Sequence, residues 1–380
     1  MLSACLILCA VYSLLLLLKF ALAMRAARAQ TPLATSTRAS TTILQPILSG
    51  DPALAEVLAT NLRALPHCRF LWLLDEDDAV AQATTARLRA AHPDVAIDCL
   101  VLPPAPDGHN PKMHKLALAT AQVQTPHLLV LDDDTTLPAA SLAELLAELD
   151  RCDLATGLPC YLDDGRFASR LLAQFVNNNA ALTYLPLLNV WPPPSINGMC
   201  YALRVEALAR MGGFAPLATQ LADDLAVATR LRAAGGRIHQ SIAPQFVRTS
   251  VRDLRHYAQV MHRWFLFALL LLKNQSWALR ASILVLHGLP PLLLLGAVIT
   301  AVLAGHIVAV AALAVMLALR SGLLCTIQRR LSGQPRHAFG LSLLAELAQP
   351  LHAVHALLHR RIHWRTRHYL VRANDDFGPA

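Results

Sequence analysis

The 380-residue chain is 55% hydrophobic and 15% charged, with a formal net charge of +8. That is too apolar for an ordinary soluble enzyme and too polar for a chain made only of membrane helices, so a soluble domain carried on membrane segments is expected. Basic residues gather at the ends of apolar runs, which points to a membrane surface; no nucleic-acid motif is present, and no obligate protein partner is evident.

In chain order, residues 4–24 form an apolar stretch long enough to span a bilayer. A cleaved signal peptide competes, because Ala21-Leu22-Ala23 has a small-x-small pattern. No basic residue precedes the run, however, and Arg25 and Arg28 follow it, so residues 1–24 read as an uncleaved transmembrane anchor with the following chain in the cytosol. The eight cysteines (Cys5, Cys9, Cys68, Cys99, Cys152, Cys160, Cys200, Cys325) contain no CxxC pair and read as reduced thiols.

From Thr41 the pattern changes. The runs "TTILQPIL", "CRFLWLLDEDD", "VAIDCLVL" and "HLLVLDDD" alternate with "ALAEVLATNLRAL", "AVAQATTARLRAAH" and "KLALATAQV". Short apolar strands alternating with helical stretches predict β-α-β units, hence an α/β domain with a mostly parallel sheet over 41–255. Ligands bind beyond the carboxyl ends of such strands. Two acidic clusters, Asp75-Glu76-Asp77-Asp78 and Asp132-Asp133-Asp134, fall there. There is no GxGxxG and no Walker loop, so dinucleotide and P-loop phosphate binding lose support. Three adjacent aspartates suit either a solvated turn or a site for Mg2+ or Mn2+ bridging phosphates. Asn177-Asn178-Asn179 suits a polar turn or a sugar-contacting loop. Asp223-Asp224 precedes the helical stretch "LAVATRLRAAGG", where capping or first-turn charge would account for both.

Residues 256–280 read as an interfacial segment, since Arg263-Trp264 runs into "FLFALLLL". Residues 281–328 read as a transmembrane hairpin. Its outer ends are basic (Lys273, Arg280, Arg329, Arg330), its turn carries no formal charge, and Pro290-Pro291 should kink its first helix. Residues 338–358 are interrupted by Glu346, Pro350, His352 and His355 and read as an interfacial or re-entrant helix. Residues 359–380 read as a basic cytosolic tail against anionic headgroups, with closure of an active site as the other reading. The richness in Ala, Leu and Arg suggests a GC-rich bacterial source, so the expected location is a bacterial inner membrane, multi-pass.

Taken in order, "LQPILSGDP" (44–52), "LLDEDD", "NPK", "DDD", "GLP", "NGMCYALR", "LADDLAVATRLRAAGGRI", "HRW" and "IHWRTRHYLVR" (362–372) resemble ceramide glucosyltransferase and its bacterial relatives, including hopanoid-linked sugar transferases. The resemblance implies a membrane-bound, inverting GT-A (nucleotide-diphospho-sugar transferase) glycosyltransferase. It implies that Asp75 meets the nucleotide base and that Lys112 offers a cation to phosphate. Asp132 and Asp134 would be the outer pair of an aspartate-x-aspartate motif, with the divalent metal on Asp134 and Asp132 beside it. Asp223-Asp224 would be the acidic pair, with Asp224 the catalytic base, and Arg263-Trp264 the end of a Gln/Arg-x-x-Arg-Trp motif. That motif departs from the family at its first position, which falls on Val260, with Gln259 one step earlier; Gln45 stands where many relatives carry lysine. The implied reaction moves a sugar, glucose first, from a UDP-sugar to a membrane-lipid hydroxyl, ceramide first. Transfer from UDP-N-acetylglucosamine to a hopanoid or other polyol lipid is the alternative. A non-catalytic membrane scaffold of the same fold is a further one.

Overall fold

The computed structural model describes residues 1–30, 41–248, 250–364 and 367–379. Arg365 and Thr366 of the "IHWRTRHYLVR" match lie outside these described residues. The chain divides into two units, each assembled from three stretches. One comprises Met1–Gln30, Gly165–Trp191 and Val251–His359; the other comprises Thr31–Asp164, Pro192–Ser250 and Arg360–Ala380.

The second unit is built on an eight-stranded sheet. Its strands are β1 (Thr41–Pro46), β2 (Arg69–Asp75), β3 (Ile97–Leu102), β4 (His127–Leu131), β5 (Thr135–Thr136), β6 (Leu154–Tyr161), β7 (Cys200–Arg204) and β8 (Ile238–Val247), in spatial order β3-β2-β1-β4-β7-β6-β8-β5. Successive side chains on a strand point to opposite faces. Thus Ile43, Phe70, Trp72, Leu129 and Leu131 pack with Leu54, Leu58 and Leu145 in one core layer. Their neighbours Leu44, Leu71, Leu73, Leu128 and Val130 pack with Met113, Leu116, Val227 and Leu231 in the other. Both faces are covered, which is why these strands read as unbroken apolar runs rather than as an alternation.

The sheet is mixed: β3, β2, β1, β4, β6 and β8 run one way, as expected of a mostly parallel sheet, and β7 and β5 run against them. The pairs β3/β2, β2/β1, β1/β4 and β6/β8 are parallel, whereas β7 runs antiparallel to both β4 and β6, and β5 is antiparallel to β8. The reason is the entry point of β7. The chain approaches at the carboxyl end of β4, where the Asp132 amide donates to the Met199 carbonyl (2.8 Å), and from there the strand can only run back. This reversal places Asn197, Gly198 and Met199 beside the end of β4.

Residues of the tail form a small antiparallel sheet, β9 (Arg361–Trp364), β10 (Arg367–Val371) and β11 (Phe377–Pro379), within the second unit. Arg367 in β10 donates to the Ala105 carbonyl (3.0 Å), which ties this sheet to the segment after β3.

Among the described residues, the first unit contains four helices long and apolar enough to cross a membrane: Leu2–Arg28, Trp277–Ala304, Ile307–Ser332 and Phe339–Leu358. Ahead of Pro290-Pro291 the backbone takes a π turn over Leu284–Gly288. Two consecutive residues without an N–H interrupt the α ladder there, and the wider turn absorbs the break. Glu346, whose burial would be costly alone, accepts from Arg320 Nε (2.7 Å) and the Tyr12 hydroxyl (2.9 Å). Asn177-Asn178-Asn179 are neither a turn nor a loop. They lie inside helix Phe167–Tyr184, where Asn178 donates to Ser342 Oγ (2.8 Å) and accepts from Gln328 (3.2 Å). Asparagine is a middling helix former, and these tertiary hydrogen bonds override its preference for turns.

Candidate active site

The site is organised by the carboxyl ends of β2 and β4. Beyond Leu131 the aspartates keep the strand's alternation: Asp133 is buried, while Asp132 and Asp134 are partly exposed. Asp133 Oδ2 accepts from the Leu48 amide (2.8 Å), so the middle carboxylate fastens β4 to the chain after β1. The Asp132 carbonyl accepts from Gln45 (3.3 Å), whose own carbonyl takes the Trp72 indole N–H (3.0 Å). Asp134 is held by its backbone, its carbonyl accepting from the Arg248 amide (2.7 Å), and its Oδ1 accepts from the Thr135 hydroxyl (3.1 Å).

Helix Pro111–Ala119 delivers two lysines. Asn110 caps it, accepting from the amides of Lys112 (3.0 Å) and Met113 (3.2 Å), with proline at the first helical position. Lys112 Nζ then lies 2.7 Å from Asp132 Oδ1, 3.2 Å from Asp223 Oδ2 and 2.6 Å from the Gly198 carbonyl. Three residues on, Lys115 meets Asp75 Oδ2 (2.7 Å) and the Ile47 carbonyl (2.9 Å). One helical turn therefore links both acidic clusters, each to its own lysine.

Asp223 and Asp224 open helix Asp223–Ala233, whose N-cap is Ala222. Neither carboxylate takes the N-cap position, although Asp224 Oδ1 accepts from the Leu225 amide (2.7 Å) and both charges lie in the favourable first turn. Capping therefore does not account for the pair. Gly198 is the close neighbour: a Cβ there would sit 3.3 Å from Asp224 Cβ and 3.4 Å from Asp223 Oδ2, tighter than most such contacts.

The electrostatics follow from burial and proximity. Burial, then the adjacent Asp223 charge, pushes the Asp224 carboxyl up to about 7. Burial, helped by Asp134, likewise pushes Asp132 up to about 7, against the pull of Lys112. Burial opposes charge on Lys112, but Asp132 and Asp223 outweigh it and hold its pKa above the ordinary lysine value. The Tyr201 hydroxyl on β7 is buried in the same neighbourhood and, among the described residues, has no hydrogen-bond partner.

Thus Asp132, Lys112, Asp223 and Asp224 form one cluster, and Asp75 stands in a second with Lys115. Arg263 and Trp264 belong to the first unit, on helix Leu254–Lys273, where the Trp264 ring lies 6.1 Å from that of Phe175. Within that helix Gln259 precedes Arg263 by four residues and so shares its face, whereas Val260 is buried. Sequence reasoning missed Lys115, Asn110 as a cap, and the inward Asp133. The first two carry local signals, a lysine one turn after Lys112 and an asparagine before proline.

As a metal site, the donor set fits. Asp132 and Asp134 offer hard carboxylate oxygens at a strand end, and Mg2+ or Mn2+ commonly takes one or two carboxylates and completes its shell with phosphates and water. Among the described residues no group of three His, Cys, Asp or Glu side chains forms a closed metal cage.

The sequence profile of Glycosyl transferase family 21 matches residues 2–377. The chain belongs to this family. The transferase is also similar to solved structures. Mannosyltransferase PcManGT from Pyrobaculum calidifontis, in complex with GDP-Man and Mn2+, is 19% identical, with 92% of this chain and 99% of that chain covered and a TM-score of 0.55. Glucosyl-3-phosphoglycerate synthase from Mycobacterium tuberculosis is 14% identical over 60% of this chain and 78% of that one, with a TM-score of 0.36. The transferase has a GT-A-like fold, a mixed sheet flanked by helices, together with long apolar helices that could span a membrane.

Proposed function

We propose that this transferase moves a sugar, glucose in our reading, from a UDP-sugar to the hydroxyl of a membrane lipid, ceramide first, with inversion. One observation carries the reading: the Lys112 ammonium joins Asp132, at the end expected to hold the diphosphate, to Asp223, beside the proposed base Asp224. The family match across residues 2–377 and the four apolar helices support a lipid acceptor. The Pyrobaculum enzyme's complex with GDP-Man and Mn2+ supports a nucleotide-sugar donor with a divalent metal.

Mg2+ or Mn2+, held by Asp134 with Asp132, would supply Lewis-acid neutralisation of the charge growing on the departing diphosphate. Lys112 adds a fixed cation at the same place, already desolvated and held by two carboxylates, so that little reorganisation is needed as charge develops. Asp224 takes the proton of the acceptor hydroxyl; a carboxylate raised to about 7 is a stronger base than an ordinary aspartate, and about half of it is ionised at pH 7. Asp75, oriented by Lys115, binds the base of the nucleotide. Arg263, as a bidentate partner for phosphate, and Trp264, as an apolar face for the lipid, rest on the family resemblance.

The test is a matrix of labelled UDP-glucose, UDP-galactose, UDP-N-acetylglucosamine and GDP-mannose against ceramide, diacylglycerol and a hopanoid polyol, with and without chelator. Chelator-sensitive glucosylceramide is the expected product. Glycolipid only from UDP-N-acetylglucosamine and the polyol would replace both substrates. No glycolipid in any combination, with metal-dependent nucleotide-sugar binding intact, would leave a binding scaffold. Asp134→Ala is expected to abolish metal-dependent UDP-glucose binding in calorimetry.

A further inference from the structure

The segment 220–222 leads directly into Asp223 and Asp224, and two asparagines from distant parts of the chain hold it. On one side, Asn110 Nδ2 donates to the carbonyls of Gln220 (3.2 Å) and Leu221 (3.1 Å), while its amide donates to the Ala218 carbonyl (2.7 Å). On the other, Asn374 lies in the connection between β10 and β11 and is only 9% exposed. Its Oδ1 accepts from the Ala222 amide (2.6 Å), its carbonyl accepts from the Leu221 amide (2.8 Å), and its Nδ2 donates to Gln220 Oε1 (3.0 Å).

This pattern answers a local deficiency. The N-cap of helix Asp223–Ala233 is Ala222, whose methyl group can satisfy no amide, and helix starts depend on side-chain acceptors for their unpaired N–H groups. In a capping box the acceptor for the N-cap amide comes from three residues ahead. Here it comes from Asn374, 152 residues away. We propose that Asn374 is a positioning residue of the transfer reaction: it fixes the entry of the helix and thereby the direction in which the Asp224 carboxylate faces the acceptor hydroxyl. The inference rests on the reading of Asp224 as the base. It gives the tail a role in the catalytic unit that a basic membrane-binding surface does not explain. Arg367, bonded to Ala105, anchors the same small sheet at a second point.

The experiment compares full-length wild type, Asn374→Ala, Asn374→Asp and Asp224→Asn in detergent micelles. It measures glucose transfer from UDP-glucose to ceramide, Mn2+-dependent UDP-glucose binding, and amide hydrogen exchange over residues 218–226. In Asn374→Ala, exchange at Ala222 should speed about tenfold or more, since a local opening no longer has to break the side-chain bond, whereas the Leu221 amide keeps its backbone acceptor. Its kcat should fall about 10- to 100-fold, as expected for a base displaced by a fraction of an ångström to an ångström, with the donor Kd changed by less than about twofold. Asn374→Asp keeps the acceptor for the Ala222 amide, and Gln220 can turn its amide to donate to the new carboxylate, so this variant should recover most of the lost kcat.

Unchanged kcat in Asn374→Ala would overturn the proposal. So would a loss shared equally by kcat and donor binding that Asp does not rescue, because that is the mark of a merely structural residue. Should Asn374→Ala fail to fold, Asn374→Ser, too short to reach both partners, replaces it in the contrast with Asn374→Asp. Normal turnover by Asp224→Asn would instead remove the base assignment. Exchange at Ala222 in Asn374→Ala would then still decide whether the Asn374 side chain holds the segment.

Discussion

At the scale of single residues, the proposed chemistry depends on two aspartates with the same side chain in different surroundings. Asp223 is ion-paired with Lys112, whereas Asp224 faces burial and a neighbouring negative charge. Asp224→Asn keeps the shape and removes the proton acceptor, so metal-dependent UDP-glucose binding should persist while kcat drops about 10²- to 10⁴-fold. Normal turnover would sink the assignment. The pH dependence has a definite sign. A base works only when deprotonated, and Asp224 is pushed up to about 7, so kcat/KM should fall as pH drops below about 7 and level off above it. Measured at saturating Mn2+, that acid limb should be absent from the residual turnover of Asp224→Asn. An unchanged limb in the variant would move the titration to another group, with Asp132 the first to examine.

At the scale of elements, the strands carrying these residues are stiffened by burial on both faces. Leu129, at the centre of β4, is fully buried three residues before Asp132. Leu129→Ala should therefore cost about 2–5 kcal/mol and lower the thermal midpoint, while leaving the donor Kd of the folded fraction little changed. A fall in stability well under 1 kcal/mol would mean that the layer collapses around the gap. The first four long strands and their helices were legible in the sequence because a doubly buried strand is a continuous apolar run bounded by turn residues. The direction of β7 was not, since "CYALR" reads the same whichever way it runs, and only the entry of the chain at Met199 decides it. The "NPK" and "DDD" stretches were visible as chemistry, but the division of labour inside them was not. Asp133 turning inward is set by Leu48, 85 positions away in the chain, and Lys115 reaches across to Asp75 on another strand end. Asn374 had no local signal at all, because its partners stand more than 150 residues before it.

At the scale of the whole molecule, the helical unit sets its own demand for polar satisfaction. Arg320 is 1% exposed and donates to Glu346 and to Ser342 Oγ (2.8 Å), while Tyr12 and Asn178 complete the network. Breaking such a pair strands a buried charge, so Arg320→Ala should destabilise the protein by about 3–5 kcal/mol. Replacing both partners, as Arg320→Met with Glu346→Leu, should restore much of that loss. Thermal inactivation in detergent measures both, and a double variant no better than the single one would show that the network acts through more than the ion pair.

The interleaving of the two units along the chain has a practical consequence for anyone wishing to handle the sheet unit without lipid. Because it is drawn from Thr31–Asp164, Pro192–Ser250 and Arg360–Ala380, no single cut at either end releases it. Stopping a gene at residue 250 keeps helix Phe167–Tyr184, which belongs with the apolar helices, and discards β9, β10 and β11 together with Asn374. A water-soluble version would have to be spliced, with one linker joining 164 to 192 and another joining 250 to 360.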